Sequence, residues 1–400
     1  MKKTGVIYHN GYYRISKRLR VLKYVTLLLL LLFSLLLFMA FRQDMTLNHF
    51  RYLLRNFDFS PNAASTSGDT IYYNGDSEAT FGFVSGGFAT VTDTRVFVTD
   101  RSSSTTFSLY HGYREPRGVF SDTFMLLYDR KGSSLTVYNA FSAVKTMQFD
   151  GTVCTAALAD NGTFAVAVAE DNGYYTTVYV YDRSFRLVNT LSKYKYTTAL
   201  SFSDSGTELL VGSRYTDKDG KNAYELLLLG VGDTAAKAEV SLRETVYAAA
   251  VLEDGSFAAL TASEALFYHA DGSLDTSYTL VGVPHKSLIG RQGILTLKSS
   301  ADKREETLMY YTPTREAHIP LSAKAVSFGE DDGYLYLLSE DTLWLYRKTD
   351  GALASTAVPV TGAIMLVSDS SRVYLATTFR ADRLDGEALF GKNPEKDTET

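Results

Sequence analysis

Cysteine and histidine are scarce in this sequence. Its 400 residues contain one cysteine, Cys154, and six histidines. Because one cysteine cannot form an intrachain disulfide, a domain of this size must be stabilised by its own hydrophobic core. The histidines are scattered without the spacing of metal ligands; they are His9, His49, His111, His269, His285 and His318. The sequence therefore predicts neither a disulfide framework nor a metal site.

Catalytic and cofactor motifs are missing as well. The segment around Ser85 reads Gly-Phe-Val-Ser-Gly and does not match the Gly-x-Ser-x-Gly pattern of a hydrolase nucleophile. No other catalytic or cofactor motif in the sequence rises above background. We therefore assign no catalytic residue and no cofactor from the sequence.

Acidic residues are absent from the first 23 positions, which carry seven lysines and arginines. Residues 24–41 hold no charge, and a helix of that length, at about 1.5 Å per residue, approaches the lower limit for crossing a hydrocarbon core of about 30 Å. Since Lys and Arg stay on the cytoplasmic side, we predict a basic cytoplasmic tail at 1–23, a transmembrane helix at 24–41 and the remainder outside the cell membrane. The bulky Phe38, Met39 and Phe41 favour an uncleaved signal anchor over a cleaved signal peptide.

Two short segments follow the apolar run. Apolar residues recur with a rough helical period over residues 42–57, with arginines between them. This pattern predicts a juxtamembrane stalk helix that lies near the lipid headgroups or packs on the following domain. Residues 58–69 lose the period and gather Ser, Pro, Gly and Asn, so they are interpreted as a linker.

The chain after its basic tail is acidic and rich in aromatic residues. The formal net charge is −5, and the seven positive charges of residues 1–23 leave −12 for the rest. An acidic domain argues against nucleic acid as a partner. The 28 tyrosines and 23 phenylalanines suit pleated sheets, and the 29 glycines suit tight turns.

A repeat of about 35 to 45 residues extends from position 70 to about 385. Each unit has an apolar strand, a tight Asp/Gly turn, a second strand, a polar loop and a third strand that often ends in Tyr-Asp. The clearest unit is 155–192, which reads TAALAD, NG, TFAVAVAED, TTVYVYDR and SFRLVNTLS. No window of helical period competes with this pattern, so residues 70–385 are predicted to be all-β.

Each unit predicts a four-stranded antiparallel meander, and such sheets arranged around an axis form a β-propeller. We count eight units, of which the last begins at Ala363 and lacks a fourth strand. The sequence TIYYN at 70–74 has no partner of its own and could supply that strand, closing the ring. A seven-bladed ring with an extra hairpin is the alternative. Residues 386–400, nearly free of apolar side chains after Phe390, are predicted to form a flexible C-terminal tail.

Parts of the repeat resemble known propeller families. The SDSG turn at 203–206, its relatives at 159–162 and 252–255, and the Tyr-Asp strands resemble WD40-like, TolB-like and YVTN-type repeats. The Trp-Asp pair and the Gly-His step of true WD40 units are missing. The whole layout resembles a group of uncharacterised, single-pass, membrane-anchored bacterial β-propeller proteins. This resemblance covers about three quarters of the chain and implies a fold, not an activity.

Longer polar loops are predicted to lie together at one face of the propeller. In a four-stranded blade, the 1–2 and 3–4 turns lie on one face and the 2–3 loops on the other. We assign residues 100–106, 170–175, 215–222 and 299–306 to the second face, as loops that could bind a partner. Their candidate binding residues are Arg101, Asp171, Tyr174, Tyr175, Asp217, Asp219, Asp302 and Arg304. Ordinary solvated hairpin tips are the alternative interpretation.

Two of these loops suggest a ligand chemistry. Asp217, Asp219 and Asn222 place oxygen atoms at alternating positions, as a calcium loop does, although the distal bidentate Glu of an EF-hand is absent. The carboxylates beside Tyr174 and Tyr175 would suit contact with a sugar.

The sequence leaves two functional hypotheses open. The first is a membrane-anchored, non-enzymatic binding or scaffold module for a protein or an envelope polymer. The second is a propeller enzyme, a hydrolase or lyase acting on glycans, whose carboxylates converge at the central funnel. Two funnel carboxylates within about 10 Å of each other, one with a raised pKa, would favour the enzyme. A funnel lined by Ala, Ser and Val would favour the binding module.

Overall fold

The computed structural model describes residues 11–41, 70–73, 79–100, 103–170, 173–280, 284–299, 306–321, 324–348, 355–369 and 372–391. The chain divides into two units, Met1–Phe57 and Asp58–Thr400. The described part of the first unit is one helix, and that of the second is almost entirely β-structure.

Helix α1 (Gly11–Phe41) begins inside the predicted basic tail and ends where the predicted membrane span ends. Its apolar part, Arg18–Leu36, is exposed and is long and apolar enough to cross a membrane, a test that an N-terminal signal sequence also passes. The Ser34 hydroxyl donates to the Leu30 carbonyl at 2.9 Å, so it is satisfied within the helix. The predicted stalk at 42–57 and linker at 58–69 lie outside the described residues.

Eight four-stranded antiparallel sheets form the predicted β-propeller, and the seven-bladed alternative is excluded. Blade 1 contains β2 (Thr80–Val84), β3 (Gly87–Val91), β4 (Arg95–Thr99) and β5 (Thr105–Tyr110); blade 2, β6 (Pro116–Phe120), β7 (Met125–Asp129), β8 (Ser134–Tyr138) and β9 (Ala143–Gln148); blade 3, β10 (Thr152–Leu158), β11 (Phe164–Ala169), β12 (Thr176–Tyr181) and β13 (Leu187–Lys193); blade 4, β14 (Tyr196–Phe202), β15 (Glu208–Thr216), β16 (Asn222–Gly230) and β17 (Ala236–Leu242). Blade 5 contains β18 (Val246–Val251), β19 (Phe257–Thr261), β20 (Glu264–Tyr268) and β21 (Leu274–Thr279); blade 6, β22 (Pro284–Ile289), β23 (Ile294–Ser299), β24 (Glu306–Thr312) and β25 (Arg315–Leu321); blade 7, β26 (Ala325–Glu330), β27 (Tyr334–Ser339), β28 (Thr342–Arg347) and β29 (Ser355–Pro359). Blade 8 contains β30 (Met365–Asp369), β31 (Arg372–Ala376), β32 (Arg380–Leu384) and β1 (Thr70–Tyr72).

The Asp/Gly signal of the repeat marks the turn between the first two strands of a blade. In blade 3, the Gly162 N–H donates to the Ala159 carbonyl at 2.9 Å, and Gly162 has a φ of 87°. This left-handed conformation strains any residue with a Cβ, which explains the glycine. Asn161 belongs to the same turn, where its Oδ1 accepts the Thr163 N–H at 2.8 Å.

The Tyr-Asp pair at the end of the third strand has two separate roles. In blade 3, the Tyr181 ring stacks on Phe164 of the neighbouring strand, with ring centroids 5.0 Å apart. The Asp182 carboxylate then accepts the main-chain N–H groups of Ser184 and Arg186 at 2.8 and 2.9 Å, which fixes the next turn. One residue therefore packs between strands while its neighbour organises the turn that follows.

The ring closes through the first strand, as the sequence predicts. Strand β1 pairs with β32, and Ile71 lies opposite Ala381 in this pairing. Ile71 is 1% exposed and belongs to a hydrophobic cluster built by blades 8 and 1. The Tyr73 hydroxyl donates to the Thr377 carbonyl at 2.5 Å, and burial raises the pKa of this tyrosine. The two ends of the domain thus complete one blade together.

A short helix, α2 (Gly386–Gly391), lies within the segment predicted to be a flexible tail. The Asp385 carboxylate accepts the N–H groups of Glu387 and Ala388 at 3.1 Å each, which caps the helix. Leu389 packs against the hydrophobic cluster between blades 7 and 8. These contacts order the beginning of the tail, and residues 392–400 lie outside the described part.

Candidate functional site

The two ends of the propeller carry different connections. The strand order places the 1–2 and 3–4 turns at one end, here named the turn end, and the 2–3 loops and the connections between blades at the other, the loop end. Residues 170, 173–175 and 217–221 lie between second and third strands and belong to the loop end, whereas residues 300–305 lie outside the described residues. Strands β4 and β5 are the third and fourth strands of blade 1, so the described loop residues Asp100, Ser103 and Ser104 between them belong to the turn end. The prediction that this loop lies at the same face as the 2–3 loops is therefore wrong. The length of a polar loop in the sequence does not reveal which strands it joins.

Half of the predicted binding residues can be placed. Tyr174, Tyr175, Asp217 and Asp219 all lie at the loop end, in the 2–3 loops of blades 3 and 4. Arg101, Asp171, Asp302 and Arg304 lie outside the described residues.

Four tyrosines at the loop end form two pairs of contacting rings. The Tyr174 and Tyr194 ring centroids are 4.7 Å apart, and those of Tyr175 and Tyr196 are 4.8 Å apart with the rings within 4° of parallel. Tyr175, Tyr194 and Tyr196 are 51%, 67% and 48% exposed. We name these four residues and Tyr215 the tyrosine patch. Tyr194 and Tyr196 lie where blade 3 passes into blade 4, and loop length in the sequence gave no sign of their contribution.

Lys195 fixes this connection in place. Its ammonium lies 4.4 Å from the centre of the Tyr215 ring and pairs with the Glu225 carboxylate, whose side chain is only 4% exposed. The Lys195 carbonyl also accepts the Thr176 hydroxyl. The second oxygen of Glu225, Oε2, has no hydrogen-bond partner among the described residues, and the ion pair with Lys195 together with the nearby Lys193 compensates this buried charge. Tyr194 and Tyr196 on either side of Lys195 are therefore held by a firm anchor.

The hairpin at 217–221 uses its first carboxylate for its own turn. The Asp217 Oδ1 accepts the N–H groups of Asp219 and Lys221 at 2.9 and 2.8 Å, and Gly220 has a φ of 76°. The calcium-like spacing of the sequence is thus explained by turn structure. Within the described ranges, no group of three or more His, Cys, Asp or Glu side chains is arranged to hold a metal.

A cavity of about 790 Å³ opens at the turn end, between the innermost strands. We name it the channel mouth. Blades 8, 1 and 2 line it with apolar residues and glycines, whereas the turns of blades 2, 3, 4 and 6 line it with charged groups. The apolar side includes Phe81, Gly82, Phe83, Gly118, Val119, Phe120, Leu366 and Val367, and the charged side includes Asp122, Asp160, Asp204 and Arg291.

Arg291 connects four blades across this mouth. Its guanidinium lies 2.8 Å from Asp204, 3.2 Å from Glu253 and 3.4 Å from Asp332, which belong to blades 4, 5 and 7. The hydrogen bond to Asp204 raises the pKa of the arginine. Asp204 and Glu253 contact the same nitrogen, so they lie well within the separation of about 10 Å that the enzyme hypothesis requires. A guanidinium that keeps its proton lies between them, however, and pairs with both.

Hydrogen bonds between blades fix the rim of the mouth. The Ser85 N–H donates to the Asp122 carbonyl at 3.0 Å, and the Asn161 side chain donates to the Ser205 carbonyl at 3.0 Å. The Arg291 N–H donates to Glu330 at 2.8 Å, and Glu330 also forms a buried 2.6 Å ion pair with Lys348. Because neighbouring turns hold each other, the cavity is preformed.

Comparison with known proteins supports the fold and gives no activity. Residues 65–224, less than half of the chain, match the sequence profile of a family of unknown function (DUF5711). Comparison with curated proteins finds no match.

Two solved structures illustrate the similarity of fold. BamB from Moraxella catarrhalis is similar with a TM-score of 0.52 and 12% identity, over 79% of this chain and 98% of BamB. Hydrazine synthase from Kuenenia stuttgartiensis is similar with a TM-score of 0.45 and 12% identity, over 76% of this chain and 95% of the other. At such identities the likeness concerns the fold alone, and the match to BamB agrees with a β-propeller.

Proposed function

We propose that this protein is a membrane-anchored, non-enzymatic binding module that presents its tyrosine patch to a protein partner outside the cell membrane. The observation that carries the proposal is the patch itself. It combines rings from a 2–3 loop, from the connection between two blades and from the end of a strand, and three of the five rings are about half exposed or more.

Tyrosine suits protein recognition for physical reasons. Its ring offers a large apolar area, its hydroxyl can form hydrogen bonds, and few rotatable bonds are frozen on binding. In the patch, stacking between Tyr175 and Tyr196 already restricts both rings, so the entropy lost on binding is smaller still. The chain after residue 23 has a formal net charge of −12, which favours partners with basic groups.

The stacking also bears on the choice between a protein and a sugar. The rings of Tyr175 and Tyr196 are stacked with centroids 4.8 Å apart, so no sugar ring can lie between them. Protein side chains can contact ring edges and hydroxyls as readily as faces. The geometry of the patch therefore favours a protein.

Helix α1 supports the membrane part of the proposal. Its apolar segment is long enough to cross a bilayer, and the seven basic residues before position 24 favour a cytoplasmic N-terminus. With that orientation, the propeller and its patch face the outside.

Site-specific photo-crosslinking in intact cells tests the proposal. A photoreactive phenylalanine analogue at Tyr194 in the full-length protein should give a discrete protein adduct, and Tyr175→Ser with Tyr196→Ser should reduce its yield. The matched control is Tyr110, a 72% exposed tyrosine on blade 1. The same adducts from both positions, or none from Tyr194, would contradict the proposal.

A further inference from the structure

We propose that the channel mouth is a binding site for an uncharged oligosaccharide. The site lies at the turn end, opposite the tyrosine patch, and does not depend on the function assigned to the patch. Three features support it: an aromatic ring on a floor of glycines, strand edges that are open to the channel, and a fixed set of polar groups on the opposite wall.

The ring of Phe120 lies directly over two glycines of the innermost strands. A Cβ added at Gly82 would be 2.1 Å from the ring, and one at Gly118 would be 2.7 Å from it, so any other residue at either position would displace Phe120. Phe120 lines the cavity and is partly exposed to it. The ring thus offers the cavity a flat apolar surface, and the C–H face of a sugar ring can stack on it.

The strands around Phe120 provide main-chain groups for hydroxyls. Strands β2, β6 and β30 are the first strands of their blades, and each is paired on one side only. The other edge of each strand carries N–H and C=O groups that no neighbouring strand pairs with, although on β30 the Leu366 N–H donates to the Ser327 hydroxyl at 3.1 Å. Gly82 and Gly118 add no side chain of their own at this edge, and the ring that lies over them is that of Phe120. A sugar hydroxyl both donates and accepts, so it can use both kinds of group.

The opposite wall is polar and rigid. The carboxylates of Asp122, Asp160 and Asp204 can accept hydrogen bonds from hydroxyls, and Arg291 is fixed by ion pairs to three blades. Groups held in place before binding lose little entropy when a ligand arrives. The volume of about 790 Å³ lies within the range of ligand sites, roughly 300–1,000 Å³, and has room for a few sugar units.

Charge narrows the class of ligand. Three carboxylates against one guanidinium leave the lining negative, which disfavours phosphates and acidic glycans. The guanidinium among the carboxylates weakens the attraction for an organic cation. An uncharged ligand with many hydroxyls is compatible with both the negative lining and the guanidinium. A small organic cation is the alternative ligand, and the experiment below distinguishes the two.

Calorimetric titration of the full-length protein, in a detergent without a sugar headgroup, tests the site. The probes are maltotriose and the trimer of N-acetylglucosamine, with spermidine as the cation. We expect saturable binding of at least one trisaccharide. Phe120→Leu, which keeps an apolar side chain but removes the flat ring, should weaken that binding at least tenfold. Asp160→Asn, in an exposed turn, removes a carboxylate that accepts hydrogen bonds from hydroxyls and should weaken the binding severalfold.

The control is Tyr175→Ser with Tyr196→Ser at the opposite end, which should bind the trisaccharide like the parent and reduce only the yield of the crosslinked protein adduct. The thermal unfolding of each variant is measured alongside. The proposal is wrong if neither trisaccharide binds, if spermidine alone binds, or if a folded Phe120→Leu variant binds as tightly as the parent.

Discussion

Strand β1 closes the ring, and a charge on its buried face should open it. Replacing Ile71, which is 1% exposed, by Asp removes a side chain whose burial contributes about 1.5–3 kcal/mol. The new carboxylate would have to be buried unpaired or drawn into water, which adds several kcal/mol or detaches the strand. We therefore expect the free energy of unfolding to fall by at least about 3 kcal/mol.

Adding Tyr73→Asp should deepen the loss. Tyr73 lies on the same face of the chain, and its hydroxyl donates to the Thr377 carbonyl and lies 3.1 Å from the Arg380 carbonyl. A net contribution of about 1 kcal/mol is typical of such a hydrogen bond, and loss of the packed ring costs more.

Tyr72→Asp is the matched control, because it places the same charge on the same strand but on its 56% exposed face. We expect a change within about 0.5 kcal/mol. Urea unfolding of the full-length variants, followed by the fluorescence of Trp344 in blade 7, measures all three. Equal midpoints for Ile71→Asp and Tyr72→Asp would show that β1 does not close the ring.

Three further predictions concern the core, the tail and the topology. Burial raises the pKa of Tyr311 to about 12, and its hydroxyl has no hydrogen-bond partner among the described residues. The folded state favours the neutral phenol. The contribution of Tyr311 to the free energy of unfolding should therefore be complete below about pH 10, the pKa of an unfolded tyrosine, and should decrease as the pH rises towards 12. Tyr311→Phe should reduce this alkaline loss and leave neutral-pH stability unchanged or higher in urea titrations; lower stability at pH 7 would contradict it. Removing residues 392–400 should not alter the Tm, whereas Leu389→Asp should lower it by several degrees, and a loss on truncation would mean that the tail docks. In a Cys154→Ser background, an impermeant thiol reagent should label a cysteine placed near Gly386 in intact cells and spare one in residues 1–10; the reverse pattern would overturn the orientation.

The blades could be predicted from the sequence because their signals are local. Gly162 forms a turn with residues three positions away, and Tyr181 stacks within its own sheet. The strand at 70–74 was predicted to close the ring because a strand without a neighbour needs one. The turn and the ring stacking repeat from unit to unit, and the closing strand is recognised because it does not fit the repeat.

The candidate sites were harder to predict because they form between blades. Arg291 and Asp204 are 87 residues apart in sequence, and nothing near either residue indicates the other. The floor beneath Phe120 needs a glycine from another blade, Gly82, and in the sequence that residue is one glycine among 29. Tyr175 was predicted as a surface residue, but its partner Tyr196 is the first residue of strand β14, which an analysis of loop lengths does not consider.

Closure between distant strands also determines the order in which the domain can be completed. Thr70 and Asp382 share a 2.7 Å hydrogen bond across 312 positions of the chain. At the usual speed of synthesis, the ribosome adds the intervening residues in roughly 15 to 60 seconds, so the first strand made is the last one to pair. Such a distant contact slows folding, and an unpaired strand invites association with other chains during the wait. With only three residues, β1 offers little edge to a wrong partner, so its shortness protects the nascent domain until the eighth blade arrives.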